Sequence, residues 1–105
     1  MKTVTVKLGG KTYLAAQLTV SGFSDVTRIV AAMDEAGRER DLSKVNGLLR
    51  ELAEIVCNSI CRAGSKITVE EVCEVAQPQE IADAVGTLIR LENSSGFRPA
   101  YPRTN

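Results

Sequence analysis

Histidine is absent from this chain of 105 residues, and with it go the commonest general base and the commonest zinc ligand. No apolar run reaches the roughly 18 residues of a membrane span. The opening stretch, MKTVTVKLGGK, lacks the continuous apolar core of a secretory signal. Net charge is lacking as well, since thirteen basic residues balance thirteen acidic ones. That balance argues against a general binder of nucleic acid or of membrane surfaces. Leu8-Gly9-Gly10-Lys11 is not a phosphate loop, because the GxxxxGK(S/T) frame and a following helix are missing. There is no internal repeat and no low-complexity run.

Cysteine is scarce and odd in number, at three. Without a signal segment, reduced thiols in a cytoplasm are expected. Cys57 and Cys61 lie four apart on one helix, and Cys73 follows the next turn. A three-thiolate metal site, or a nucleophilic thiol beside Arg50, would use these residues. The CxxC spacing of such sites is absent, so structural thiols are expected, with no metal and no cofactor. Glu70, Glu71 and Glu74 sit in the opening turns of a helix, where negative charge favours the backbone dipole. No catalytic constellation is left, and the chain reads as a non-enzyme.

What is present begins with a hairpin. Residues 2–8, KTVTVKL, alternate strictly, with Val4, Val6 and Leu8 on one face and Thr3, Thr5 and Lys7 on the other. Gly9-Gly10 suits a tight turn, whose central residues take positive φ. The returning strand, KTYLAAQL, then sets Leu8 against Lys11 and Val6 against Tyr13, with Thr5 and Leu14 sharing the opposite face. A lone hairpin is marginal in water, so one face must lie on helices or pair with another sheet edge.

Four helices are expected after it, at 24–36, 42–63, 69–76 and 79–92. Ser24 is the expected N-cap of the first, with Asp25 in its opening turn, a stripe of Val26, Ile29, Val30 and Met33, and a stop at Gly37. Asp41 or Ser43 caps the second. Its stripe, at about 100° per residue, is Val45, Leu48, Leu49, Leu52, Val56 and Ile60. Gly47 weakens that helix, and Gly64 ends it. Cys57 and Cys61 fall off the stripe, so either the helix is covered on more than one side or they sit near a partner surface. Thr68 and Glu71 form a capping box for the third helix, and Pro78 opens the fourth. Ile81, Val85 and Leu88 are the buried stripe there, flanked by Ala84 and Ile89. The fold class is therefore α+β, one domain over residues 1–97, with an extended, mobile tail at 98–105.

Charge is unevenly placed. Residues 1–23 carry Lys2, Lys7 and Lys11 and no acid. Residues 64–97 carry Lys66 and Arg90 against Glu70, Glu71, Glu74, Glu80, Asp83 and Glu92, and the tail adds Arg98 and Arg103. A basic end and an acidic middle suit contact within the fold, or head-to-tail contact between copies. Lys7, Lys11, Leu14, Leu18, Phe23, Phe97 and Tyr101 are the candidate protein-binding residues, the apolar ones because they stand outside the helix stripes. The helix pair at 68–91 has the outline of a DNA-binding motif, although its second helix would show phosphates an acidic face.

The order of features resembles the small tail assembly chaperones of long-tailed bacteriophages. The residues that carry the resemblance are the hairpin KLGGKTYLAAQLTV and the closing ITVEEVCEVAQPQEIADAVGTLIRLENSSGF. Proteins of that family run from a glycine-glycine hairpin into helices, with a TxEE helix start and a closing helix before a serine-glycine stop. The proline-containing tail and the three cysteines depart from this pattern. The resemblance implies a non-enzymatic protein of the host bacterial cytoplasm, while a homo-oligomer is expected from the hairpin, whose two strands could each expose an unpaired edge to another copy. The resemblance further implies that the protein binds the helical tape-measure protein, keeps it soluble and recruits tail-tube subunits. A small DNA-binding regulator is the competing expectation.

Overall fold

A computed structural model of the chain describes residues 2–94. Strand β1 (Thr3–Leu8) and strand β2 (Lys11–Ala16) form an antiparallel hairpin. Helices α1 (Val20–Arg38), α2 (Leu42–Arg62), α3 (Val69–Val75) and α4 (Pro78–Ser94) follow, so the chain is an α+β protein. The register is the expected one: Leu8 opposes Lys11, Val6 opposes Tyr13 and Thr5 opposes Leu14. Gly9 and Gly10 turn the chain at φ +61° and +85°, values that only glycine adopts without strain.

Helix α2 is the centre of the molecule. It packs against α1, β2, α3 and α4, while α4 also lies against β1. Leu48, Leu52, Val56 and Ile60 are buried as the stripe predicts, but so are Ala53, Cys57 and Ser59. That extra burial answers the question left open by the thiols: the helix is covered on more than one side. The hairpin lies with Val6, Leu8 and Ala15 turned into the core, the same one to which Val72, Ile81 and Leu88 belong, and β1 packs on α4.

The first helix departs from expectation at its start. It begins at Val20, and its N-cap is Thr19, whose Oγ1 accepts a hydrogen bond from the Gly22 N–H at 2.9 Å. Ser24 and Asp25 therefore lie inside the helix, because the earlier hydroxyl already satisfies an orphan donor. Gly37 does not stop it either. The stop is at Arg40, which takes φ +58°, and the Asp41 N–H then reaches the Ala36 carbonyl at 3.0 Å. This is a Schellman closure with arginine in the place glycine usually holds. Of the expected stripe, Val26 and Ile29 are buried and Met33 packs partly on the core, but Val30 is exposed. Among the other elements α1 packs mainly on α2, so it buries only a narrow stripe.

The remaining helix signals stand where the sequence puts them. Asp41 caps α2, accepting from the Lys44 N–H. Thr68 and Glu71 form the reciprocal box at the start of α3, and Pro78 is the first residue of α4. The tail at 98–105 lies outside the described residues.

Candidate protein-binding surfaces

The inward face of the hairpin is apolar, and its other face carries Thr3, Thr5, Lys7, Thr12 and Leu14, all exposed. Ala16, at the end of that face, is fully buried. Leu14 stands in the middle at 51 % exposure, a large apolar side chain ringed by threonines. The two-residue turn and the Gln17 N–H to Lys2 C=O bond of 3.0 Å fix which backbone groups pair across the hairpin. Those of Thr3, Thr5 and Lys7 point outwards along β1, and no bond to them occurs among the described residues.

Two residues hold this platform in place. Glu80 Oε1 accepts from the Gly9 N–H and from the Gln77 N–H, both at 2.9 Å, so one carboxylate caps α4 and grips the hairpin turn. Those two donors, with the Lys7 charge, hold the Glu80 carboxyl below its usual range. At the other end of the hairpin the Arg62 guanidinium donates to the Gln17 carbonyl at 2.6 Å. Neither tie is visible as a motif, because each joins residues far apart in the chain.

The other expected binding residues divide. Lys7 and Lys11 are exposed. Leu18 is only 5 % exposed and belongs to the core, so it is no part of a free surface. It sits between the end of β2 and the Thr19 cap, where the chain must turn inward to start α1. Phe23 packs partly against the core, and Phe97 and Tyr101 lie outside the described residues. Sequence reading missed Val20, Leu42 and Val75, which are also exposed apolar residues. Their only signal was a place at the first or last position of a helix, where one side of the helix runs out of neighbours.

Two clefts open between elements. One of about 390 Å³ lies under the hairpin turn, lined by Leu8, Tyr13 and Val75 with Lys11, Lys66, Glu71 and Glu74 at its edges. The other, about 260 Å³, runs between α2, α3 and the start of α4. Its floor is Leu49, Ala53, Val72, Ala76, Pro78 and Ile81, with Asn46, Arg50 and Cys73 at the rim.

The thiols do not converge on one site. Cys57 is buried, and both it and the exposed Cys61 donate to the Ile67 carbonyl, at 3.3 and 3.2 Å. Burial first, and then the neighbouring Cys61, push the Cys57 pKa up to about 11, so it is a neutral thiol at pH 7. Cys73 is exposed and lies 3.6 Å from Arg50, whose other nitrogen pairs with Glu70 at 3.2 Å. Among the described residues no group of three ligating side chains is placed to hold a metal ion. No described helix is long and apolar enough to cross a membrane.

No family model matches the chain, and neither a curated protein nor a solved structure matches it.

Proposed function

We propose that this chain is a non-catalytic, self-associating binding protein, a tail assembly chaperone of a long-tailed bacteriophage. In the host bacterial cytoplasm it covers the apolar stripe of the helical tape-measure protein, keeps that protein soluble and brings tail-tube subunits to it. The observation that carries the reading is the hairpin's uncovered face, with Leu14 half-exposed at its centre and the hairpin tied down by Glu80 and Arg62. A rigid platform with one apolar anchor and threonines around it suits contact with a helix that shows a repeating apolar face. Several copies along one long helix then act together, so each single contact is allowed to be weak. The element order of the resembled family, hairpin first and a capped helix pair last, supports the same reading. The regulator reading is weaker, since α4 turns Gln79, Asp83 and Arg90 outward beside the acidic α3.

Co-expression with a tape-measure segment tests the proposal. The wild type is expected to keep the segment soluble and to co-purify with it. Leu14→Glu, at a position already exposed, should fold normally and lose at least about tenfold in affinity, as a central anchor does. Failure of the wild type to bind any part of a tape-measure chain sinks the reading. Equal binding by Leu14→Glu moves the contact off the hairpin.

A further inference from the structure

A two-stranded sheet has two edges, and here only that of β1 is open along its length. On β2 the outward backbone groups belong to Thr12, Leu14 and Ala16. Ala16 is fully buried, and the next carbonyl, that of Gln17, is taken by Arg62. On β1 the outward groups are those of Thr3, Thr5 and Lys7. All three residues are exposed, and none of these groups is bonded among the described residues. Proline, a bulge or an inward-pointing charge commonly guards such an edge. β1 runs in unbroken register with none of these, and Lys7 is its one charge.

The edge itself sets the chemistry of its occupant. N–H and C=O groups presented at every second residue are answered by another strand. The β1 strand of a second copy carries the same groups at the same spacing. Run antiparallel about a two-fold axis at Thr5, the two strands set Thr5 against Thr5 and Thr3 against Lys7. Each of these pairs exchanges two backbone bonds, so every outward group on both strands finds a partner. A register shifted by two residues leaves either Thr3 or Lys7 with no strand residue opposite.

Charge and packing favour the same arrangement. Parallel strands would make the two Lys7 side chains neighbours on one face. Antiparallel about Thr5, they stand about 14 Å apart, beyond the screening length of about 8 Å at physiological salt. On the inward face the partly buried Val4 then lies opposite Val6, one β-branched residue against another.

We propose that two copies join through β1, antiparallel about a two-fold axis at Thr5, into one four-stranded sheet. Each copy has one such edge, so the pairing is closed and stops at a dimer. On the outer face the row across the sheet reads Leu14, Thr5, Thr5 and Leu14, with the leucines about 14 Å apart. The proposal rests on the self-association in the proposed function and names its surface. It is tested with the chain alone, so its failure leaves tape-measure binding to the co-expression experiment.

Sedimentation velocity on the full chain reads mass against concentration. Wild type is expected to pass from monomer to dimer and to grow no further. Thr5→Pro removes an outward N–H at the axis and breaks no bond inside the hairpin, so circular dichroism should show a folded chain. It should need at least about tenfold more protein to dimerise. Thr12→Pro makes the same change on the β2 edge and should dimerise like wild type. Thr5→Cys, in a chain with Cys61→Ser and Cys73→Ser, covers the case in which Thr5→Pro does not fold. Its thiols meet across the axis, so mild oxidation should link the dimer, whereas Thr3→Cys in the same chain should stay unlinked. A monomeric wild type, growth past the dimer, or a folded Thr5→Pro that dimerises like wild type would each overturn the proposal. So would equal weakening by Thr12→Pro, no linking by Thr5→Cys, or equal linking by Thr3→Cys.

Discussion

A methyl group added at Gly9 would stand 2.7 Å from Cβ of Val75, and Gly9 also sits at φ +61°. Gly10 shares the left-handed backbone, at φ +85°, but has nothing within 4 Å. The two positions separate strain from contact. Gly9→Ala is expected to cost about 2–4 kcal/mol, and Gly10→Ala about 1 kcal/mol, in urea unfolding. Equal costs would mean that the hairpin tip is not seated on the end of α3. Ser59 is a different kind of single-residue problem. It is 1 % exposed, within the central helix, and its hydroxyl has no hydrogen-bond partner among the described residues. Ser59→Ala should raise stability by about 1 kcal/mol, because it removes an unpaid desolvation cost. A loss of stability on that change would show that the hydroxyl is bonded after all.

At the scale of elements, the hairpin and the start of α4 are joined through one carboxylate. Glu80 is held below its ordinary value of 4.5 by the Gly9 N–H first and the Gln77 N–H second. A carboxyl whose folded pKa is lowered contributes stability above its unfolded value, and that contribution is lost as pH falls through the folded value. Wild type should therefore melt above Glu80→Gln at pH 7, with the gap closing below about pH 4.5. Melting curves between pH 3 and 7 check this, and a gap that stays constant across the range would remove the charge from the explanation. The capping role of Glu80 at α4 was within reach of sequence reading, since Pro78 marks the helix start. Its grip on Gly9 was not, because the two residues are 71 positions apart. Local pattern rules carry no term for a partner that only folding brings near.

For the molecule as a whole, the uneven charge seen along the chain is met partly inside the fold. Lys7 acts on Glu80, and Lys11 borders the cleft that holds Glu71 and Glu74. Reversing both lysines to glutamate should lower the melting temperature at low ionic strength, with the loss shrinking as salt screens the charges. An unchanged or higher melting temperature would leave those lysines free to serve only a partner. The same arrangement leaves the outer face of the hairpin nearly neutral around Leu14, which is where tape-measure binding is proposed.

What the sequence determined on its own were the features written within a few residues of one another. Gly9-Gly10 between two alternating runs set the hairpin register, Thr68 with Glu71 set the start of α3, and Pro78 set the start of α4. Each follows from backbone geometry or a cap, and neither needs the rest of the molecule. The choice between Thr19 and Ser24 as a cap was local as well, yet both residues qualify by type, and only the folded chain showed which hydroxyl meets a free N–H. Burial was decided by tertiary structure. Val30 and Ile29 are adjacent and equally apolar, but α1 packs mainly on α2, so one is covered and the other is not. Leu18 and Leu14 are the same residue type four positions apart, and the inward turn before α1 buries the first while the second is left on the open face of a two-stranded sheet. Apolar type measures the gain from leaving water, whereas the elements that arrive from elsewhere in the chain decide which side chains obtain it.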